Sequence, residues 1–268
     1  MDIMRGLLLK LLKLALIAGV LALALTPVVR EQLRLRQMAA AVEDYRRAVE
    51  AAGPSGLEAM LDQARTVAPE NAALVDPYGE PGASESSEAM LPDLNGMLAV
   101  LEIPKLGATL PVWRGSADQP GACHVAGTGL MVEGSPARCA VTVELIDLSR
   151  LTAGDHLRLS ALGERVDCEI VQATSVDAAS MAWPEGEEDW LALIARDPAA
   201  PKDGRIVAIA RRTSPQALTA RDDTLMATGW SVWLALSGPV AVAGLLLLTL
   251  VGGLRRQARR AKVKRMRL

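Results

Sequence analysis

Two long apolar runs near the ends of the chain dominate its pattern of hydrophobic and polar positions. Residues 14–29 are apolar apart from Thr26 and Pro27, and residues 7–12 extend this run with only Lys10 intervening. Residues 229–254 contain the uncharged run AVAGLLLLTLVGGL. Each run is long enough for a helix that crosses a bilayer. The pattern predicts transmembrane helices within residues 1–34 and at 229–254; a cleaved signal peptide, with Ala22-Leu23-Ala24 as cleavage site, is the alternative for the first.

Basic residues indicate the orientation of these helices. Three stand on each side of the first run: Arg5, Lys10 and Lys13 before it, and Arg30, Arg34 and Arg36 after it. Because the numbers are equal, these residues do not indicate the orientation of the first helix. Residues 255–268 carry eight Lys and Arg and no acid directly after the second run, which predicts a cytoplasmic tail. Anionic lipid explains such a cluster better than nucleic acid does. We therefore expect a two-pass protein of the cell membrane with both termini inside and residues 35–226 outside the cytoplasm.

The region between the runs changes character along the chain. Residues 37–51 and 56–67 have apolar positions at helical spacing, with a break at Gly53-Pro54-Ser55, and predict a helical stalk within residues 35–70. Residues 82–88 (GASESSE) have the composition of a flexible linker within residues 71–95. Residues 96–214 are a strand-rich region that uses Val, Ile and Leu, and residues 215–228 link it to the second apolar run.

Composition limits what this chain can be. Its 268 residues, half of them apolar, with a net charge of −2, suit one globular domain plus membrane segments. The chain has no Phe and only seven aromatic residues, so the core of the β-region must be packed from aliphatic side chains. No metal-binding spacing of Cys and His and no phosphate-binding glycine loop occurs, so we expect neither a metal nor a cofactor.

Several motifs in residues 96–212 resemble the sortase family. They are GMLAVLEIPKLGATLPVWRGS (96–116), GACHVAGTGL (121–130) and DLSRLTAGDHLRLSALGERVDCEIVQATSV (147–176). The resemblance implies a mainly β fold: a sortase-like closed β-barrel preceded by short helices and flanked by two transmembrane helices. It also implies a Gram-positive bacterium with the barrel on the wall side of its membrane.

Asp76-Pro77-Tyr78 resembles the lid motif of class C, the pilin-polymerising branch of that family. In this branch Asp-Pro and an aromatic residue stand ahead of the barrel, and a hydrophobic segment stands at each end of the chain. Position and topology together imply the class C type.

The catalytic positions implied by the resemblance are altered. The family uses a cysteine nucleophile against a Leu-Pro-x-Thr-Gly-like sorting signal, a histidine and an oxyanion-binding arginine. LALIARDPAAPKDGR (191–205) matches the active-site strand and loop with Pro198 and Arg205 in register, which puts Arg196 at the cysteine position. The histidine loop is deleted, and Glu144 takes the nearest position. A permanently protonated, delocalised guanidinium cannot attack a carbonyl.

Other thiols offer poor replacements for the missing nucleophile. Cys168 lies in a strand pattern and is interpreted as structural. Cys139 could lie near the groove, but it has no assignable base and is interpreted as structural too. Cys123 and His124 are neighbours in a strand, so their side chains point to opposite faces. His156 is interpreted as a hairpin residue. We expect all three cysteines to be reduced and buried.

The substitutions exchange catalytic residue types for complementary charges. In the resembled class C branch the acid of the lid motif pairs with the active-site arginine, which implies that Asp76 pairs with Arg205. We hypothesise that Glu144, Arg196, Arg205 and Asp76 form an ionic network that closes the former active site. Unrelated surface charges are the alternative.

These observations predict a catalytically inactive sortase-like protein that binds or scaffolds a sorting-signal peptide, a pilin or an active sortase, with membrane lipid as its other partner. An active class C transpeptidase or hydrolase, with an unusual nucleophile such as Cys139, is the alternative, and a membrane-tethered barrel unrelated to sorting is a third hypothesis.

Overall fold

The computed structural model describes residues 2–67, 73–79, 91–115, 119–135, 138–144, 146–186, 189–200 and 202–213; within residues 2–28 it describes side chains only at positions 19 and 26. The described residues divide between two units, with the boundary at residues 34 and 35. Within the described ranges no helix is both long and apolar enough to cross a membrane. The predicted linkers at 82–88 and 215–228, the helix at 229–254 and the basic tail lie outside the described residues.

Helix α1 (Asp2–Thr66) opens the chain. The sequence predicts one helix within residues 1–34 and separate helices that begin at residues 37 and 56, whereas the structure has one helical element from residue 2 to residue 66. Residues 30–36 are Arg, Glu, Gln and Leu, which all favour the helix, so nothing ends it before the stalk. The predicted break is confirmed, because the backbone of Gly53 leaves helical geometry with φ 67° and ψ 169°. Glycine adopts a positive φ without the steric cost that other residues meet.

Eight strands form the rest of the described fold. They are β1 (Met97–Ile103), β2 (Ala108–Arg114), β3 (Ala122–His124), β4 (Arg138–Val143), β5 (His156–Ala161), β6 (Glu164–Asp177), β7 (Trp190–Arg196) and β8 (Gly204–Arg212). They close into a barrel in the order β1-β2-β3-β4-β7-β8-β6-β5, with β5 pairing back to β1. Only β2 with β3 and β4 with β7 are parallel pairs. The predicted mainly β closed barrel is confirmed.

The interior of the barrel is aliphatic, as the composition predicts. Its buried cluster contains Leu, Ile, Val, Ala, Met and Cys side chains and no aromatic ring among the described residues. On β7 the inward-facing members are Leu191, Leu193 and Ala195. Alternate residues of a strand face opposite sides of the sheet, so their neighbours form a second, outer surface.

Tyr45 fastens helix α1 to the barrel. Its hydroxyl donates to the carbonyl of Leu98 at 2.9 Å and accepts from the backbone N–H of Leu162 at 2.8 Å. Leu162 has φ 50° in the turn between β5 and β6, and Tyr45 satisfies the N–H that this turn exposes. Burial raises the pKa of Tyr45 to about 12, against the opposing hydrogen bond from Leu162. The stalk helix is therefore held to the barrel by a buried, fully satisfied hydroxyl.

Candidate functional site

The ends of β7 and β8 bring two arginines together. In this antiparallel pair Arg196 lies directly opposite Arg205, and Ile194 opposite Val207. Alternation puts all four side chains on the outer surface of the barrel, where Ile194 and Val207 belong to a buried apolar cluster distinct from the interior. We call this outer surface of β3, β4, β7 and β8 the site face.

Directly opposite like charges destabilise an antiparallel pair unless something intervenes. Arg205 is only 3% exposed, so its charge is largely removed from water, whereas Arg196 is exposed. The site face thus needs a counterion for Arg205 above all.

Backbone carbonyls at the end of the loop between β7 and β8 hold the guanidinium of Arg205 in place. Its guanidinium Nη1 donates to the carbonyls of Lys202 at 3.2 Å and Gly204 at 2.9 Å. A Cβ at Gly204 would lie 2.6 Å from the Cβ of Ala200, so this tight return requires glycine. The loop leaves Nε and Nη2 of Arg205 pointing to one common partner.

That partner is Asp76, in the segment 73–79, which we call the lid segment. Arg205 Nε donates to Asp76 Oδ1 at 2.8 Å, and Nη2 donates to Oδ2 at 2.7 Å, which is the bidentate geometry of a strong arginine–carboxylate pair. Burial would raise the pKa of Asp76, but hydrogen bonds from Arg205 and from the backbone of Tyr78, with the charges of Arg205 and Arg196, hold it below its ordinary value. The hydrogen bonds that Arg205 donates to Asp76 likewise raise the pKa of Arg205.

Tyr78 places its ring against both guanidiniums. The ring centroid lies 4.6 Å from Cζ of Arg196 and 5.1 Å from Cζ of Arg205, within the range of cation–π attraction. The backbone N–H of Tyr78 donates to Asp76 Oδ1 at 3.2 Å, and Pro77 between them restricts the backbone of this turn. Burial first, then the charge of Glu144, raise the pKa of Tyr78 to about 12, so its phenol is neutral. The lid segment therefore covers the arginine pair with one carboxylate and one aromatic face.

The lid segment also packs on the apolar part of the site face. Leu74 is a buried member of the outer cluster, and Tyr78 packs against it. The other buried members are Val125, Ala140, Met181, Trp183, Trp190, Ala192, Ile194, Val207 and Ile209. Sequence reasoning missed this cluster, although the run of apolar residues on both faces of β7 was a visible signal that neither face is open to water.

Glu144 does not join the arginines in an ion pair. It follows β4, where Thr142 pairs with Ile194, so the same register carries Glu144 alongside Arg196. Its side chain is exposed, and among the described residues neither Arg196 nor Arg205 has a carboxylate other than Asp76 within 4.0 Å. Of the hypothesised four-member network, only the ion pair of Asp76 with Arg205 is found among the described residues, and neither Glu144 nor Arg196 has an ion-pair partner there. The ring of Tyr78 faces Arg196 instead, and the side chain of Glu144 is exposed.

The cysteines divide between the two sides of the barrel wall. Cys139 lies on β4 and Cys168 on β6, both fully buried in the interior cluster. Cys139, interpreted from the sequence as structural with a possible place near the groove, faces inward, away from the site face. Burial raises the pKa of Cys168 to about 12, with a further contribution from Cys139.

Cys123 is the half-exposed thiol and lies on the site face, where it pairs with Thr142. The expectation that all three thiols are buried is thus wrong for Cys123, while all three are free cysteines. His124 is buried, and its Nε2 lies 3.1 Å from Thr128 Oγ1 and 3.2 Å from the carbonyl of Gly129. His124 pairs with Val141 of the interior cluster and therefore faces the interior, whereas Cys123 faces the site face. Cys123 and His124 therefore cannot act as a Cys-His pair.

Comparison with known proteins gives a structural match only. No protein-family model matches the sequence, and no curated protein sequence matches it. Sortase C1 of Streptococcus agalactiae superposes with a TM-score of 0.57 at 21% identity, over 68% of this chain and 98% of that one. Sortase C of Streptococcus pneumoniae superposes with a TM-score of 0.55 at 20% identity, over 65% of this chain and 97% of that one. For sortase C-1 of Actinomyces oris the TM-score is 0.52 at 23% identity, over 59% of this chain and 99% of that one.

These structures are covered almost completely, although identity is low. The likeness supports the fold and leaves the assignment of Arg196 and Glu144 to the family's cysteine and histidine positions as a prediction. The described part of this chain has the fold of the class C sortases.

Proposed function

We propose that this protein is a class C sortase-like component of the bacterial cell surface that carries out no thioester chemistry and binds sorting-signal proteins, pilins or an active sortase. The observation that carries the proposal is the cross-strand pair Arg196–Arg205 at the end of the site face. A guanidinium there can bind an anion or stack on a ring, but it cannot form an acyl intermediate.

The positions of the other candidate groups support the same conclusion. His124 faces the interior, and Glu144, at the predicted histidine position, is an exposed carboxylate. General-base activation requires a nucleophile and base within hydrogen-bond reach. Cys139 and Cys168 are enclosed in aliphatic packing, which speaks against either as a nucleophile for a peptide.

The cellular context is part of the proposal. The apolar runs and the basic tail support a two-pass protein of the cell membrane with the barrel outside the cytoplasm. One similar structure, that of Streptococcus pneumoniae sortase C, is described in terms of pilin substrate specificity, which supports a pilin or its sorting signal as the partner.

A peptide-cleavage assay with a restoration variant tests the proposal. We expect the full-length chain to leave a quenched Leu-Pro-x-Thr-Gly peptide uncleaved. Arg196 and Glu144 are both exposed, so Arg196→Cys with Glu144→His should fold, and we expect mass spectrometry to detect a thioester adduct only in that variant. Cleavage by the unmodified chain would overturn the proposal.

If the protein is instead an active transpeptidase or hydrolase, Cys123 is the best remaining candidate for its nucleophile. Among the described residues it is the thiol on the site face, where it pairs with Thr142 and is half-exposed. If the unmodified chain cleaves the peptide, comparison of Cys123→Ala with Cys139→Ala identifies the nucleophile. Loss of cleavage in the first variant alone would establish the alternative function.

A further inference from the structure

The lid segment fills the site face as a ligand would. We propose, building on the binding function above, that the Arg196–Arg205 pair is a receptor for a peptide carboxylate, and that Asp76 occupies it as an internal stand-in for that group. The ligand belongs to an extended peptide and displaces the lid segment when it binds.

Arg205 provides the first half of this receptor. Its side chain is 4% exposed, its Nη1 is committed to two backbone carbonyls, and its Nε and Nη2 face outward in parallel. This planar fork matches the two oxygens of a carboxylate. Removal of Asp76 without replacement would leave a buried, unpaired charge, so the open form requires another anion.

Arg196 provides the second half. It is exposed, stacks on Tyr78, and among the described residues has no carboxylate within 4.0 Å. Tyr78 is neutral, and in the closed form the carboxylate of Asp76 is hydrogen-bonded to Arg205 only, while the charge of Arg196 acts on it from farther away. An incoming carboxylate that reaches both would gain an interaction that Asp76 makes with only one. The second guanidinium thus favours an external ligand over the internal one.

The flanks of Asp76 define the rest of the ligand. Leu74, two residues before it, and Tyr78, two residues after it, both pack on the outer apolar cluster. The site face therefore complements a carboxylate with an apolar side chain two positions away. A peptide meets this requirement either with an Asp or Glu side chain or with a C-terminal carboxylate that follows an apolar residue. Inorganic phosphate offers the charge without the apolar contact.

This inference is tested by measuring the binding of labelled peptides to the full-length chain in detergent by fluorescence anisotropy. Three labelled peptides serve as probes: an apolar-rich peptide with a free C-terminal carboxylate, the same peptide as a C-terminal amide, and an amidated Leu-Val-Asp-Pro-Tyr peptide that copies residues 74–78. Free phosphate serves as competitor. The proteins are the unmodified chain, Asp76→Asn, Asp76→Ala and the control Asp155→Ala, which removes an ion pair with Lys105 outside the site face.

We expect both Asp76 variants to bind at least one carboxylate peptide about tenfold or more tightly than the unmodified chain, because an internal charged competitor is removed. The Asp155 control should bind as the unmodified chain does. The amide peptide without an acid should bind weakly throughout. Adding Arg196→Gln to Asp76→Asn should weaken carboxylate binding about tenfold, and thermal unfolding of each variant verifies that it is folded.

The outcomes separate this inference from the function on which it rests. Equal binding of acid and amide peptides to folded Asp76→Asn overturns the carboxylate receptor and leaves peptide binding intact. Complete displacement by phosphate, with no preference for apolar flanks, overturns it in favour of a phosphate ligand. Absence of binding by every peptide to both Asp76 variants overturns the receptor together with the peptide-binding function. Preference for the C-terminal acid over the Asp peptide, or the reverse, supports the receptor and identifies the source of the carboxylate.

Discussion

The two tyrosines of this chain hold two segments to the same barrel by different forces. Tyr45 ties the stalk helix through a buried hydroxyl that bonds two backbone groups. Tyr78 ties the lid segment through its ring, which lies against two guanidiniums, beside the ion pair of Asp76. Burial raises the pKa of both phenols to about 12. A buried hydrogen-bond bridge makes a fixed joint, whereas charge and ring contacts respond to pH and competing ions.

The largest effect should come from Tyr45→Phe, which tests the fixed joint. The change removes the hydroxyl and leaves the carbonyl of Leu98 and the N–H of Leu162 buried without it. An unsatisfied buried polar group costs about 1–3 kcal/mol, so we expect a loss of that order in the free energy of unfolding, measured by urea denaturation of the full chain in detergent. An unchanged midpoint would show that the bridge contributes nothing to the joint.

Tyr78→Ala tests the second joint and should act locally. It removes the ring from both guanidiniums, a loss of about 0.5–2 kcal/mol from lid attachment. We expect faster modification of Cys123 by a thiol reagent, because Cys123 is half-exposed on the face that the lid segment covers. The unfolding midpoint should change less than in Tyr45→Phe. The buried Cys139 and Cys168 are internal controls and should stay unmodified.

Acid should release the lid segment and leave the stalk in place. The pKa of Asp76 lies below its ordinary value of about 4, so the stabilisation from its carboxylate is fully present above that value and is lost as pH falls through the depressed pKa. A disulfide reagent that reacts in acid, such as dithiodipyridine, should therefore modify Cys123 faster in this acidic window. Asp76→Asn should abolish the pH step and give fast modification throughout. A step that persists in Asp76→Asn would assign it to another group.

The sequence was sufficient for the barrel because its strands carry local patterns. The family-like motifs over residues 96–212 imply the closed sheet, and an aliphatic interior follows from the absence of Phe. The inward facing of Cys139 was also readable in principle. It lies five positions before Glu144, and an odd separation on one extended run places two side chains on opposite faces.

The contacts of the lid segment were only partly readable. Asp76 lies 129 positions before Arg205, so no periodicity links them, and their pairing came from a family resemblance. Charge complementarity alone also favoured Glu144 as the partner of Arg196. The structure instead uses an aromatic ring, because a face with negative potential attracts a cation without needing a second desolvated carboxylate.

Tyr78→Phe should have the smallest effect and gives the sharpest contrast with Tyr45→Phe. The same atom is removed, but among the described residues the Tyr78 hydroxyl has no hydrogen-bond partner, and the ring that meets Arg196 and Arg205 is retained. Phenylalanine keeps most of the cation–π attraction, so we expect the midpoint of unfolding and the rate of Cys123 modification to change little. The free energy of unfolding and the free energy of lid attachment should each change by less than about 0.5 kcal/mol. If Tyr78→Phe instead matches Tyr78→Ala, the hydroxyl holds the lid segment, and both tyrosines act through the same kind of bond.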